Sequence, residues 1–417
     1  MKHTHLYPYT SFVLSTLLLL LLPGCGGDQA AEIFNDEFDV YVNDMLRDWG
    51  VPGVVVSVVK DGERVFAKGY GERKAGTTLP ASSKTLCTIA SNTKAVTATA
   101  IAMLVDEGKL HWDDPVEKHI PELRLKDAYV TEHMTIRDVL AHRAGLPFLL
   151  GEWSDPDYSM EQLLAELSDW EVSMSFRERH GYSNVGYALA GEVVARVSGM
   201  SWEEFVSARI LEPLGMAETY ASPSRLVAER GVPGAGTDIF FPAYVDGEEV
   251  VSADWKGFDY IYAPAAGIVS TAEDIGAWMI MQLNDGEYEG ERLVSEESIE
   301  EMRTPQISVD WQWWEHHSVL ANLLVYDLGW VSYDHRGRRV DEHPGGGMWA
   351  VVALVPEERL GVAVFTNLWW EDYKSTRMAT ALKLKIIDAY LGATDRDWSA
   401  EYLERHREWV ERHRGGE

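Results

Sequence analysis

The chain is short of basic residues and of cysteine. Its 417 residues include 37 Lys and Arg against 67 Asp and Glu, which gives a formal net charge of −30. A surface this acidic repels phosphate backbones, so we expect no binding to nucleic acid. The two cysteines are Cys25 and Cys87. Because Cys25 lies in a processing segment, Cys87 has no partner for an intramolecular disulfide, and we interpret it as a small buried apolar residue.

The apolar run near the N-terminus is too short for an ordinary transmembrane helix. Phe12 to Leu22 has eleven residues and follows the positively charged Lys2, as in a signal peptide. The next residues, Leu-Pro-Gly-Cys25, resemble a bacterial lipobox. This resemblance implies a lipoprotein signal peptide at 1–24, lipidation of Cys25 and a tether at 25–35. Gly26 suggests anchoring in the outer membrane, facing the periplasm. Because Pro23 is unusual in a lipobox, ordinary signal-peptidase cleavage nearby is the alternative.

Common signatures of metal and cofactor sites are also missing. The sequence contains no His-Glu-x-x-His motif, and His316-His317 has no evident pattern of partner carboxylates. We therefore expect no metal and no organic cofactor, and nothing in the sequence implies an obligate protein partner. Internal repeats and low-complexity linkers are absent after residue 35.

Hydrophobic patterning predicts strands at both ends of the domain and helices between them. Alternating or β-branched runs predict strands at 51–60, 63–70, 328–332, 338–342, 348–355 and 361–366. Helical spacing predicts helices at 36–49, 93–107, 161–169, 185–197, 293–302 and 376–391. This order predicts an α/β (α+β) fold with an antiparallel sheet flanked by helices and built from both termini.

We therefore divide the chain into one main domain and a C-terminal tail. The domain spans 36–395, with an α/β lobe at about 36–90 and 255–395. An inserted all-helical lobe spans about 91–254. Residues 396–417 are expected to form a charged C-terminal tail.

Ser-x-x-Lys occurs twice, at Ser57/Lys60 and at Ser91/Lys94. The first pair lies in a predicted strand, where residues three apart point to opposite faces. The second pair begins a helix, where residues three apart share a face. The helix is apolar on all sides, which predicts burial and a lowered lysine pKa. We therefore predict Ser91 as a nucleophile with Lys94 as its base; an N-cap Ser beside a surface Lys is the alternative.

Tyr-x-Asn also occurs twice, at Tyr41/Asn43 and at Tyr182/Asn184. The first copy lies in an amphipathic surface helix, whereas the second lies in a glycine-bounded loop before a helix. Because a loop can direct both side chains into a cleft, we predict that Tyr182 shares proton transfer with Lys94. Asn184 is then expected to hold a substrate amide or carbonyl.

His-x-Gly occurs three times, at His335, His343 and His413. Only the copy at His343 leads through a glycine run, Gly345 to Gly347, directly into a long predicted strand. Glycine permits close approach of a substrate backbone. We predict that an N–H of the Gly345–Gly346 region pairs with that of Ser91 as an oxyanion hole, and that His343 lines the same site.

In order along the chain, these segments resemble the class C β-lactamase and penicillin-binding-protein-like serine hydrolases. The resemblance spans about residues 33–395 and includes five segments: IASNTK at 89–94, LAHRAGLP at 140–147, YSNVGYALAG at 182–191, AAGIVST at 265–271 and the His343 motif. It implies a β-lactamase/transpeptidase-like fold and an acyl-serine mechanism on an ester or amide. The family includes D-Ala-D-Ala carboxypeptidases, D-aminopeptidases and esterases.

The His343 motif departs from the Lys-Thr-Gly that is usual in β-lactamases. Pro344 has neither a hydroxyl nor a backbone N–H, and a neutral His binds an anion less well than Lys. We therefore expect an esterase-like activity before a β-lactamase, carboxypeptidase or D-aminopeptidase activity. A catalytically silent protein that binds cell-wall peptide or a partner is the alternative of another class.

Two further features are expected to have structural roles. His142 is expected to form a structural hydrogen bond rather than to act as a base. Trp311, Trp313 and Trp314 are expected to form a lid or cap the core, with an acyl-binding or membrane-contacting wall as the alternative.

Overall fold

A computed structural model of the chain describes residues 25–151, 155, 157–172, 176–234, 236–246, 249–254, 261–309, 319–369 and 373–414. Residues 1–24, with the predicted signal peptide, lie outside the described residues, as do Trp311, Trp313, Trp314 and His316-His317. None of the helices in the described ranges combines the length and the apolar character that crossing a membrane requires.

The strands of the described chain are β1 (Gly53–Lys60), β2 (Glu63–Gly71), β3 (Cys87–Thr88), β4 (Ala243–Asp246), β5 (Glu249–Ser252), β6 (Val269–Ser270), β7 (Glu287–Tyr288), β8 (Glu291–Arg292), β9 (Ile307–Ser308), β10 (Leu324–Tyr326), β11 (Val331–His335), β12 (Arg338–Gly345), β13 (Met348–Val355) and β14 (Leu360–Trp369).

The helices are α1 (Cys25–Ile33), α2 (Asp36–Trp49), α3 (Thr93–Asp106), α4 (Val116–His119), α5 (Ala128–His133), α6 (Ile136–Leu140), α7 (Met160–Leu167), α8 (Asn184–Ser198), α9 (Trp202–Val206), α10 (Pro223–Arg230), α11 (Ala263–Ala266), α12 (Ile275–Leu283), α13 (Glu296–Met302), α14 (Lys374–Tyr390) and α15 (Trp398–Arg414). Short 3-10 turns lie at Ala90–Asn92 and Pro356–Glu358, and a π turn at Ser207–Leu211.

The main sheet joins the two ends of the domain. Its order is β2-β1-β14-β13-β12-β11-β10-β9, and neighbouring strands along this path are antiparallel. The N-terminal strand β1 pairs with the C-terminal strand β14, with Val56 opposite Val364. The predicted fold, with a sheet built from both termini, is confirmed.

The two faces of the sheet bury different helices because strand residues alternate. Val54, Val56 and Val58 pack with α2 and α14 on one face. Val55 and Val59 pack on the opposite face, in the cluster that holds α3, α8 and α12. The site described below lies on this second side, where the helical lobe meets β12.

The inserted lobe is not wholly helical. The hairpin β4–β5 falls within its predicted range, and Ala243 of β4 pairs in parallel with Leu368 of β14. The prediction of an all-helical 91–254 segment is therefore wrong at its end, because Ala243–Asp246 and Glu249–Ser252 form a hairpin at the sheet.

The residues expected to form a tether are helical instead. α1 begins at Cys25, Ala30 is buried, and the Phe34 ring stacks on Phe66 with centroids 4.1 Å apart. Apolar residues at 30, 33 and 34 share a helix face, so this segment packs on β2 and α14 rather than leading freely away.

The C-terminal residues also pack on the domain rather than forming a free charged tail. Trp398, Tyr402 and His406 recur every four residues along α15 and are buried against α14. The Trp398 indole N–H donates to Asp388 Oδ2 at 2.8 Å. A sparse buried stripe within an otherwise charged helix is the physical reason for this difference.

Candidate active site

Ser91 lies in the 3-10 turn that leads into α3, and its side chain is partly exposed. The preceding residue, Ala90, has a φ of +46°, a left-handed conformation that is uncommon for alanine. Backbone strain of this kind persists where surrounding contacts impose it, often at functional sites. Here the contacts come from the neighbouring Asn92.

Asn92 joins the nucleophile turn to the sheet. Its Oδ1 accepts the Val352 N–H of β13 at 3.0 Å, and its Nδ2 donates to the Ile89 carbonyl at 2.6 Å. These bonds fix the turn on both sides of Ser91. The sequence alone does not reveal this role of Asn92, because its partner is 260 positions away in the sequence.

Lys94 follows Ser91 by one helical turn and is completely buried. Its Nζ lies 3.2 Å from Ser91 Oγ, 2.8 Å from Asn184 Oδ1 and 2.9 Å from the Ala265 carbonyl oxygen. Burial lowers the pKa of the Lys94 amine well below its ordinary value. The structure thus brings the predicted base to the predicted nucleophile.

The three oxygen neighbours match the three N–H groups of a charged ammonium, but burial favours the uncharged amine, which uses the same contacts differently. A neutral lysine has two N–H groups and one lone pair. Asn184 and Ala265 offer acceptors for the two N–H groups, which leaves the lone pair of Lys94 for the Ser91 hydroxyl proton. Asn184, expected to hold substrate, therefore commits its oxygen to Lys94.

Tyr182 lies in the irregular segment before α8, as predicted, and its hydroxyl hydrogen-bonds with the Ser91 side chain. Burial raises the pKa of this hydroxyl, so it carries its proton at neutral pH. Lys94 Nζ lies 4.7 Å from the centroid of the Tyr182 ring. Ser91, Lys94 and Tyr182 thus form one contiguous group.

Gly345, in β12, lies against the nucleophile turn. A Cβ built on Gly345 would lie 2.8 Å from Ala90 Cβ and 3.1 Å from the Ser91 backbone N, so a larger residue would push the strand away. Gly346 follows in an exposed position with open space around it. The strand end thus brings the Gly345–Gly346 backbone beside the Ser91 N–H.

His343 is buried in β12 rather than in a loop ahead of the strand. Its Nδ1 lies 2.7 Å from the Pro344 carbonyl oxygen, which can only accept, so Nδ1 carries the proton. Its Nε2 then accepts from the Tyr326 hydroxyl at 2.9 Å. Both nitrogens of His343 are thus engaged within the protein, and contact with a substrate stays a prediction.

The competing motif copies lie away from this group. Ser57 is buried in β1, whereas Lys60 pairs with Asp61 at 2.8 Å. His335 is buried and contacts Asp388 at 2.8 Å. Among the residues that the structure describes, no group of three or more His, Cys, Asp or Glu side chains is arranged to hold a metal ion.

Comparison with known proteins identifies the family of the chain. The model of the family described as Beta-lactamase matches residues 38–385. The chain belongs to the beta-lactamase family. Its fold and its membership of these serine hydrolases are therefore those expected from the motif order.

Two relatives match this beta-lactamase family member over different shares of their length. Unguisins hydrolase ungD of Aspergillus violaceofuscus is 26% identical over 405 residues, covering 91% of this chain and 70% of the relative. Protein flp of Staphylococcus aureus is 27% identical over 251 residues, covering 60% of this chain and 49% of the relative. The matched part is thus about half the length of Protein flp.

Solved structures share the architecture. The octameric penicillin-binding protein homologue from Pyrococcus abyssi is 28% identical with a TM-score of 0.70, covering 86% of this chain and 77% of that one. A class C beta lactamase from Rhodobacter sphaeroides is 19% identical with a TM-score of 0.65, covering 86% of this chain and 99% of that one. The second likeness is one of fold alone.

Proposed function

We propose that the chain hydrolyses an ester or a small amide through an acyl intermediate on Ser91. The observation that carries this proposal is the position of the buried Lys94 amine, 3.2 Å from Ser91 Oγ. A lysine with a lowered pKa can remain neutral and accept the serine proton. Tyr182, bonded to the same serine, supplies a second group for proton transfer.

In the acylation step, Ser91 Oγ attacks the substrate carbonyl carbon while its proton passes to Lys94 Nζ. The backbone N–H groups of Ser91 and of the Gly345–Gly346 region stabilise the oxyanion. The bond to the leaving group then breaks, and the leaving atom takes the Tyr182 hydroxyl proton. Lys94 returns a proton to Tyr182, which restores both groups.

In deacylation the same groups act on water. Water attacks the acyl carbon and loses a proton, the bond to Ser91 Oγ breaks, and Ser91 regains its proton. The products are a carboxylic acid and the free enzyme. This sequence of steps needs no redox partner.

The preference for an ester over a β-lactam or a peptide carboxylate follows from the third motif. His343 is buried with both nitrogens engaged, and Pro344 contributes no hydroxyl. Phe148 is 56% exposed beside Tyr182, with ring centroids 6.1 Å apart. One exposed apolar ring beside Tyr182 and a weak anion anchor suit an uncharged substrate.

Labelling with a fluorophosphonate probe tests the nucleophile. We expect labelling of the wild type and of Ser57→Ala, which removes the serine of the other Ser-x-x-Lys copy, and none of Ser91→Ala. Labelling of Ser91→Ala at the wild-type rate would contradict the proposal. Absence of turnover with any ester, amide or β-lactam, together with binding to peptidoglycan, would favour the silent cell-wall-binding alternative.

A substrate panel tests the class. We expect p-nitrophenyl butyrate to be hydrolysed with a higher kcat/KM than nitrocefin or D-alanine p-nitroanilide. A nitrocefin kcat/KM far above that of the ester would reverse this ranking and favour a β-lactamase.

We also propose that the chain is an exported bacterial lipoprotein, anchored through a lipid on Cys25 to the periplasmic face of the outer membrane. The support is the lipobox-like sequence that ends at Cys25. Metabolic labelling with an alkyne-tagged fatty acid should mark the wild type and leave Cys25→Ala unlabelled. Equal labelling of both chains, or labelling of neither, would contradict this anchor.

A further inference from the structure

The segment that carries Tyr182 has no helix or strand to hold it. Residues 181–183 are irregular, and α8 begins at Asn184. Buried backbone N–H groups need partners, so the bonds of this segment determine where the Tyr182 side chain lies. Those bonds connect it to residues 142–148, which lie beside it.

His142 accepts hydrogen bonds from both neighbours of Tyr182. Its carbonyl oxygen accepts the Gly181 N–H at 2.7 Å, and its Nδ1 accepts the Ser183 N–H at 3.1 Å. One residue thus binds the peptide groups on either side of the tyrosine. The bond of Asn184 N–H to the Phe148 carbonyl, at 2.9 Å, continues the same contact.

The conformation of His142 is special in two respects. Its φ is +55°, in the left-handed region that is uncommon for a residue other than glycine. Its ring is buried, with its centroid 4.3 Å from that of Tyr182 and 4.6 Å from that of Tyr326. Because Nδ1 accepts from Ser183, the proton of the neutral ring is on Nε2. Nε2 has no hydrogen-bond partner among the described residues.

We propose that His142 is the positioning residue that holds the Tyr182 hydroxyl at Ser91. The inference rests on the proposed function, and it gives His142 a positioning role in addition to the structural hydrogen bond that the sequence predicts. Displacing a catalytic group by about 1 Å can lower a rate by roughly 10²-fold. Loss of the acceptor at Nδ1 should therefore lower the acylation rate about 10- to 100-fold, with KM changed less than about threefold.

Two variants isolate that acceptor. Asparagine and glycine both tolerate a positive φ, and both remove the ring. His142→Asn retains an acceptor in the place of Nδ1, whereas His142→Gly has none. We expect His142→Gly to acylate about 10- to 100-fold more slowly than wild type, and His142→Asn to recover most of this loss. Circular dichroism and thermal melting establish that both variants are folded.

A Tyr182→Phe background separates positioning from general loosening. If His142 acts through the Tyr182 hydroxyl, the rate difference between His142→Gly and His142→Asn disappears in that background. A difference of the same size in both backgrounds, or no difference with Tyr182 present, would overturn the proposal. The rate is that of fluorophosphonate labelling of Ser91, followed by intact mass.

A second measurement does not depend on activity. Hydrogen exchange of the peptide containing residues 181–183 should be faster in His142→Gly than in His142→Asn. Equal exchange would overturn the role of the Nδ1 acceptor, whether or not the chain is an enzyme. If wild type is not labelled at Ser91, the proposed function fails. Hydrogen exchange then still tests whether His142 holds residues 181–183 in place.

Discussion

Lys94 combines complete burial with three oxygen neighbours, and this combination determines how the residue acts. Burial favours the neutral amine, while Asn184 Oδ1 and the Ala265 carbonyl accept its N–H groups. The lone pair is then directed at Ser91. In the proposed mechanism, the charge state of the Lys94 side chain therefore controls whether Ser91 can act as a nucleophile.

This charge state predicts the pH dependence of acylation. Burial lowers the pKa of Lys94, so the neutral, active form appears at a lower pH than for an ordinary lysine. We expect kcat/KM for an ester to rise with pH and to level off well below pH 10.5, the ordinary value. A rate that rises only above that value, or falls as pH increases through the neutral range, would contradict this assignment.

Replacing Lys94 by methionine tests the base directly. Met has a similar length and is apolar, so it fits the buried site without a charge. We expect the acylation rate to fall by roughly 10²–10⁴-fold, the usual contribution of a general base. Urea unfolding should show that the Lys94→Met variant is still folded, so that the loss of rate is not a loss of structure. An active Lys94→Met variant would assign the base elsewhere.

At the level of elements, the end of β12 and the turn before α3 must approach closely. Gly345→Ala would bring a Cβ to within 2.8 Å of Ala90 Cβ and displace the strand that carries the expected oxyanion donor. We expect kcat to fall roughly 10²-fold, in line with the loss of one such donor. Gly234→Ala, in an exposed loop with open space, is the matched control. Equal activity of the two variants would show that the close approach at Gly345 is not needed for activity.

We predict that the final helix, α15, contributes to the stability of the domain. Trp398 is fully buried and bonds to Asp388. Trp398→Ala should lower the free energy of unfolding by about 3–5 kcal/mol, as for other buried tryptophans. Arg407→Ala, exposed on the same helix, should change it by less than ~0.5 kcal/mol. Equal urea midpoints would show that α15 contributes little.

The elements differ in how far the sequence predicts them. β1, β13 and β14 follow from continuous apolar runs, and the Ser91–Lys94 geometry follows from helical spacing. α1 and α15 were missed because their buried residues are few and lie among charges. Asn92 and Tyr326 were out of reach because their contacts, to Val352 and His343, depend on which strands become neighbours.

For the whole molecule, the net charge of −30 is the dominant electrostatic feature. Self-repulsion destabilises a compact acidic protein, and salt screens it. We expect the Tm to rise by roughly 1–3 °C between 0.05 and 0.5 M NaCl, a shift of the size that ~1 kcal/mol produces in a large domain. Scanning calorimetry measures the shift. A Tm that falls with salt would show that attractive ion pairs outweigh the repulsion.

The central claim is an acyl intermediate on Ser91, and acid-quenched mass spectrometry during turnover tests it most directly. Wild type mixed with p-nitrophenyl acetate should gain one acetyl group, mapped to the peptide that contains Ser91. In Tyr182→Phe, the rate at which the acetyl adduct forms or is lost should differ from that of wild type. Ser91→Ala should show no adduct. An acetyl group on another residue, or turnover by Ser91→Ala at the wild-type rate, would contradict the account.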